Sequence, residues 1–259
     1  MAGFRHEYKY FCSTLQRTAL KQRMQALLQI DRHAADTGYY RIRSLYFDTH
    51  DDQCYYDNEN GVGSRYKFRI RIYNGEKDVI VLEKKVKQDQ MGYKRSCRLT
   101  EEECRMLIRG EYDRVLQSMQ EMKQEADLRP KQDMELKSEQ KLKSKQDLKQ
   151  ELVLEMKHKL LRPKVIVEYK RYPFVEPATN VRVTFDEEVS SSNDFDRFLE
   201  KQITLRPVNP VGDGILEVKW DGILPDYIRK NLQLNSLVWS GYSKYYYCRR
   251  FNMYGGVRV

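Results

Sequence analysis

The stretch Arg65–Tyr73, RYKFRIRIY, decides the fold. Successive side chains of an extended strand point to opposite faces. Arg65, Lys67, Arg69 and Arg71 therefore share one face, and Tyr66, Phe68, Ile70 and Ile72 share the other. One face is a row of cations; its reverse is a core face. An open antiparallel sheet turns such a polar face to bulk water, whereas a barrel wide enough to keep a lumen can turn it inward. Period-two patterning recurs outward from this stretch, giving eight segments in all, at about 4–11, 41–48, 65–73, 78–87, 92–99, 164–172, 180–187 and 214–220.

Helices are expected between some of these strands. Ser13 with Gln16 and Thr100 with Glu103 read as capping boxes, which start helices running to about Ile30 and to about Arg109. Asn193 reads as the cap of a short helix through about Lys201, Pro225 suits the first turn of another, and Ser243–Tyr254 reads as a closing C-terminal helix. Between residues 113 and 162 the composition changes to Lys, Gln, Glu, Leu and Met with no glycine. KQDMELKSEQ and KLKSKQDLKQE are near-duplicates there, and LRPK occurs at Leu128–Lys131 and again at Leu161–Lys164. This segment is expected to be a low-complexity helical insertion in an otherwise single domain spanning 1–259, a solvated helix or hairpin without chemistry, with a partner-docking helix as the alternative.

The 259 residues suffice for one large core. The 47 Lys and Arg against 38 Asp and Glu leave a formal +9, which attracts polyanions without choosing among nucleic acid, acidic membrane and polyphosphate. The insertion holds 12 basic and 10 acidic residues, so most of the excess charge belongs to the strand-forming remainder. Five scattered cysteines without C-x-x-C spacing point to neither a zinc site nor a disulfide framework, and a reducing cytoplasmic setting is expected. No signal-peptide core or membrane-length apolar run is read in the sequence, which leaves any membrane association to a partner.

An acid and a lysine two positions apart recur as Glu7/Lys9, Glu83/Lys85 and Glu217/Lys219, each within one predicted strand and so on one face. Carboxylates take Mg²⁺ or Mn²⁺ while ammonium groups take phosphate oxygens, so three such pairs suit a site that holds a metal and its anionic ligand together. A single pair is more ordinarily a cross-strand ion pair of little energetic worth. A fourth pair, Glu168/Lys170, must face away if Arg171 faces inward. Arg171 and Arg182, in YKRYPF and VRVTFD, add cations on further strands, and arginines converging from several strands give bidentate phosphate contacts that a lone patch cannot. Burying that many like charges is costly unless an anion and water fill the space between them. The four histidines have no ligand spacing, and neither G-x-S-x-G nor a Walker-type loop occurs. Most of the 19 tyrosines fit core or rim positions, though aromatics beside cations can stack bases.

The ordered set HEYKY, SLYFDT, KFRIRIYNG, VLEKK, YKRYPF, VRVTFD, ILEVKWDG and SGYSKYYY resembles the polyphosphate polymerase domain of the vacuolar transporter chaperone (VTC) family, in the triphosphate tunnel metalloenzyme superfamily. The resemblance covers nearly all of the chain apart from the insertion. It implies an α+β fold, an eight-stranded antiparallel β-barrel forming a triphosphate tunnel with flanking helices. It also implies a phosphotransferase that moves the terminal phosphate of ATP onto a growing inorganic polyphosphate with Mn²⁺ or Mg²⁺, with no nucleic-acid partner. Carried over onto this chain, Arg69, Arg71, Lys85, Arg171 and Arg182 are expected to be catalytic. Lys9, Lys219 and Lys244 are expected to bind substrate, as is Lys67 from its place in the cation row of 65–71, and Glu217, with Glu83 and Glu7, is expected to hold the metal. The basic residue that the family places just after SLYFDT has no clean equivalent in YYDNENGVGSR. No inositol-phosphate-sensing domain or membrane segment is read in this sequence, so neither translocation nor inositol phosphate control is expected of the chain alone. Two other classes compete: a tunnel-fold triphosphatase or tripolyphosphatase, in which water replaces the acceptor, and a non-catalytic polyanion-binding module, which explains the acidic residues less well.

Overall fold

A computed structural model of the chain describes residues 5–88, 91–127, 148–209, 213–233 and 237–255. Each of the eight period-two segments is a strand: β1 (Arg5–Cys12), β3 (Tyr40–Asp48), β4 (Ser64–Tyr73), β5 (Glu76–Gln88), β6 (Met91–Leu99), β7 (Arg162–Glu176), β8 (Val181–Ser192) and β10 (Gly214–Trp220). They pair antiparallel in the order β7-β3-β4-β5-β6-β1-β10-β8, and β8 returns to β7, closing an eight-stranded barrel. Three two-residue strands escape period-two reading because they are too short to show a period. These are β2 (Gln29–Ile30) on β7, β9 (Arg206–Pro207) on β8 and β11 (Val238–Trp239) on β1.

The register decides which side chains look inward. Arg69 lies opposite Glu83 and Tyr46, Lys67 opposite Lys85, Arg71 opposite Ser44, and Glu217 opposite both Lys9 and Thr184. Their neighbours Phe68, Ile70 and Ile72 are fully buried on the outer face. The cation row of β4 thus faces the lumen. Asn74 and Gly75, both at positive φ, make the tight β4–β5 turn. A Cβ at Gly75 would sit 2.8 Å from the Lys201 carbonyl, so glycine also permits the close approach of that segment.

Helices cover the outer face. α1 (Thr14–Leu27) and α6 (Asp226–Leu232) pack with the outer sides of β1, β8 and β10, burying Leu20, Met24, Ile228 and Leu232. α3 (Glu101–Arg109), α4 (Tyr112–Asp127) and a helix α5 over 148–158 cover β4 and β5. α2 (Gln53–Glu59) and α7 (Lys244–Met253) behave differently, because Tyr245 and Cys248 pack with the inward-facing Ile42, Tyr46, Val167 and Tyr169. α7 therefore fills part of the barrel interior, and it carries Lys244 there at its first position, capped by Ser243.

Both capping boxes are present, at Ser13/Gln16 and Thr100/Glu103. Three expectations are corrected. The first helix ends at Leu27 rather than Ile30, because Gln29 and Ile30 leave it to pair with β7. No helix forms over 193–201. Phe198 and Leu199 are buried in turns, and the Arg43 guanidinium donates to the carbonyls of Phe198 (3.0 Å), Glu200 (2.5 Å) and Lys201 (3.2 Å), holding the backbone in a form a helix does not allow. The third correction concerns the insertion, whose flanks are not merely solvated. Val115 and Met119 of α4 and Leu148, Leu152, Val153 and Met156 of α5 are buried in the same core as Phe68 and Leu82. Glu151 binds Lys84 and Arg95 (2.7 Å), and Lys149 binds Glu103 at 2.5 Å. The duplicated segments lie largely at 128–147, outside the described residues.

Candidate functional site

One cavity of about 950 Å³ occupies the barrel interior. Its lining includes Glu7, Lys9, Lys67, Arg69, Arg71, Lys85, Arg171, Arg182, Glu217, Lys219 and Lys244, so β1, β4, β5, β7, β8, β10 and α7 all contribute. Glu83 faces the same side but lies beneath the cations, 1 % exposed. Its carboxylate accepts from Arg69 Nε at 2.6 Å and Lys94 Nζ at 2.5 Å, with Arg71 at 3.7 Å. Glu168 and Lys170 face away, as the alternation requires. Glu168 is paired with Arg43 outside the lumen at 2.6 Å.

The lumen has two electrostatic zones. In the first, carboxylates are fully engaged. Glu217 accepts from Lys244 (2.8 Å), Lys219 (2.8 Å) and Arg171 (3.1 Å), and Asp186 accepts from both Arg171 (2.6 Å) and Lys244 (2.6 Å). Glu7 accepts from Lys85 (2.9 Å) and Lys219 (3.1 Å). Burial alone would raise the Glu217 carboxyl, but the charges of Lys219, Lys244 and Arg171 outweigh it and hold the group well below the usual carboxylate range. Glu7 is held down in the same way, burial being overcome by Lys85, Lys9 and Lys219. Lys244 is raised, since Asp186 and Glu217 outweigh its burial.

In the second zone cations and polar groups lack such partners. The Nε of Arg71, the hydroxyl of Ser44 opposite it and the hydroxyl of Thr184 opposite Glu217 are buried with no hydrogen-bond partner. Lys9 donates to the Tyr242 carbonyl at 2.9 Å. Lys67 meets the Asn58 amide oxygen at 3.4 Å, the Ser243 hydroxyl at 3.3 Å and the Tyr245 ring face, 4.6 Å from its centroid. Burial pushes the Lys67 ammonium down to about 7, with Arg65 and Lys9 repelling it further and Cys54 and Asp48 opposing the shift. Native proteins rarely leave buried donors unmatched, so the second zone is shaped for an acceptor-rich guest.

Sequence patterning does not reveal the grip of Asp186 on Arg171 and Lys244, which depends on register between β7, β8 and α7. The Tyr242 carbonyl and Ser243 were not foreseen either. They reach the lumen through the turn into α7, which has no period to read.

A closed antiparallel barrel whose interior is lined by lysines and arginines from most of its strands defines a tunnel-fold protein. The sequence profile of the VTC domain matches residues 4–251, and the chain belongs to that family. A search of the curated proteins finds no significant match. Among solved structures, the chain is similar to the PH1819 protein from Pyrococcus horikoshii OT3, with 11% identity, 92% of this chain and 94% of that chain covered, and TM-score 0.42. It is also similar to a putative adenylate cyclase from Bacillus halodurans (12%, 98% and 93% covered, TM-score 0.40) and to one from Vibrio parahaemolyticus (10%, 94% and 96% covered, TM-score 0.42). Among the described residues no helix is long and apolar enough to cross a membrane.

Proposed function

We propose that the chain is a polyphosphate polymerase that transfers the terminal phosphate of a nucleoside triphosphate, ATP in the first instance, onto inorganic polyphosphate inside the lumen. The observation that carries this reading is the unmatched set Arg71 Nε, Ser44 Oγ and Thr184 Oγ1, together with Lys67, whose contacts are neutral oxygens and a ring. A chain of phosphates supplies acceptor oxygens at every point of such a wall, and guanidinium groups bind it through two nitrogens at once.

Phosphoryl transfer asks mainly for positioning and for neutralisation of charge spread over the transferred group. Arg69 and Arg71 on one wall and Arg171 and Arg182 on another would hold the phosphoryl oxygens from two sides, with Lys85 and Lys244 beside them. The terminal oxygen of the acceptor polyphosphate, already an anion, is itself the nucleophile, so no side chain need remove a proton.

The donor set fits a hard divalent cation only in part. Glu217 and Glu7, oxygen donors on adjacent strands, share Lys219, and no cluster of three or more His, Cys, Asp or Glu able to hold a metal occurs among the described residues. A Mn²⁺ or Mg²⁺ would therefore be held by Glu217 and Glu7 with phosphate oxygens completing its shell, and would supply charge neutralisation on the triphosphate. Incubation of the protein with ATP and Mn²⁺, followed by gel staining for polyphosphate, tests the reading. Polymer is expected; free phosphate without polymer would make the chain a tunnel triphosphatase, and no turnover would leave a binding module.

A further inference from the structure

Four charged side chains from four elements close a ring on one side of the lumen: Arg171 on β7, Asp186 on β8, Glu217 on β10 and Lys244 at the start of α7. Arg171 donates from Nε to Asp186 Oδ1 at 2.7 Å and from Nη2 to Asp186 Oδ2 at 2.6 Å, and the same Nη2 reaches Glu217 Oε2 at 3.1 Å. Lys244 Nζ lies 2.6 Å from Asp186 Oδ2 and 2.8 Å from Glu217 Oε1. Each cation therefore touches both carboxylates, and each carboxylate both cations. Strand register brings the ring together. Asp186 lies directly opposite Arg171, and Glu217 lies opposite Thr184, two residues along the same face of β8.

The two carboxylates are not equivalent. Glu217 lines the cavity and has Lys219 as a third partner at 2.8 Å. Asp186 is 0 % exposed, so a guest in the lumen meets it only through Arg171 and Lys244. An incoming phosphate competes with Glu217 for the N–H groups of those two cations, and the two anions repel each other. Asp186 is sealed from that competition. Its grip also fixes direction. Holding a guanidinium by its Nε–Nη2 edge sets the plane of the group and turns Nη1 to the opposite side, and Arg171 is a wall residue of the cavity. Without Asp186, Glu217 alone of the ring's acceptors would remain to both cations, and Glu217 is the group that a phosphate must displace.

We propose that Asp186 is a positioning residue, which keeps Arg171 and Lys244 aimed into the lumen when a phosphate group displaces Glu217 from them. This assignment rests on the reading of the lumen as a phosphate site. Asp186 acts through the two cations, so its contribution shows as a dependence of their binding strength on its presence. Glu168 supplies the contrast. It is also buried and pairs with an arginine, Arg43, at 2.6 Å, but outside the lumen, where there is no guest to aim at.

The test is a double-mutant cycle in the binding of inorganic tripolyphosphate, by titration calorimetry in metal-free buffer at a temperature where circular dichroism shows each variant folded. Arg171→Gln should weaken binding about tenfold or more in the wild-type background. In the Asp186→Asn background it should cost about threefold or less, because an unaimed guanidinium has little binding left to lose. The general effect of removing one negative charge cancels in the cycle. In the Glu168→Gln background the full cost of Arg171→Gln should return, which a merely structural role for Asp186 would give in both. Equal cost with and without Asp186, or no cost of Arg171→Gln in the wild type, overturns the positioning role and leaves the lumen reading standing. A second arm does not need Asp186→Asn to fold. Arg171→Gln should keep its full cost in the Glu217→Gln background, and loss of that cost there would make Glu217 the anchor instead. Failure of the wild type to bind tripolyphosphate overturns both readings.

Discussion

Arg43 on β3 and Arg71 on β4 are both nearly buried, at 3 % and 7 % exposure, and stand on neighbouring strands with Arg43 opposite Ile72. Their surroundings differ completely. Arg43 points outward, takes the Glu168 carboxylate at 2.6 Å and spends its remaining donors on three carbonyls of the 198–201 turn. Arg71 points into the lumen, its nearest carboxylate oxygen 3.7 Å away on Glu83 and its Nε unmatched. The same side chain, equally hidden, is a structural tie in one place and a held-open valence in the other. What separates them is the number of acceptors in reach, not burial or charge. Leaving one partner of a buried pair alone is costly, whereas removing a cation that already lacks its partner is not.

The largest expected effect is on the satisfied side. Arg43→Ala should lower stability by about 3–5 kcal/mol, read as the midpoint of urea unfolding, since it leaves buried Glu168 only the 3.8 Å pairing with half-exposed Arg41 and releases the turn beneath it. An unchanged midpoint would erase the distinction. Arg71→Ala should instead cut phosphate transfer by about 100-fold or more while the melting temperature stays near wild type. A variant that melts early and keeps its activity would reverse the two roles.

Glu217→Gln sharpens the contrast within the lumen itself, because this carboxylate is matched three times over. As a metal ligand, its replacement should abolish the Mn²⁺ dependence of turnover and tighten polyphosphate binding, one repelling charge being gone. As an ion-pair hub only, it should lower the melting temperature and leave the Mn²⁺ activation curve of the remaining activity unaltered.

The smallest effect is on pH. Lys67 is held down to about 7 without a ligand, below the ordinary lysine value near 10.4, so it loses its charge as pH rises through neutrality. A bound polyanion favours the charged form. Polyphosphate affinity should therefore fall between pH 6 and about 8.5, with proton uptake on binding. Lys67→Arg should flatten that slope, and an equal slope in both proteins would remove Lys67 from the linkage. The ligand-free fold carries the opposite trend. The unfolded chain binds the extra proton between about 7 and about 10.4, so this group's contribution to stability rises with pH across that window.

Much of this was legible in sequence because alternation is a local property. Residues 65–73 announce both a strand and a two-faced wall, and the eight such segments are the eight barrel strands. The inward placement of Lys9, Lys85 and Lys219 follows from the same rule. Interactions set by register between distant strands were not legible. Asp186 on Lys244, Arg43 on the 198–201 turn and the burial of Glu83 under Arg69 each require knowing which residue lies opposite which. The core faces of α4 and α5 were hidden for another reason. Their few apolar positions are diluted by Lys, Gln and Glu, so a helix that packs Leu148, Leu152 and Met156 looks like one that packs nothing. Removing residues 148–158 should accordingly cost several kcal/mol of stability, about 1.5–3 for each large apolar side chain withdrawn from the core.

Lys9 donates to a carbonyl 233 positions away, at Tyr242. β1 leaves the ribosome well before β10 and the turn into α7, which complete its surroundings. At 5–20 residues per second the interval is on the order of tens of seconds. Throughout it the strand that carries Glu7 and Lys9 has no β10 to zip against, while the β3–β4–β5–β6 hairpins assemble from short-range contacts. Such distant pairings are slow to form. The lumen consequently comes into being in one late event, and a nascent chain stopped short of Ser243 would hold most of the wall but no enclosed site.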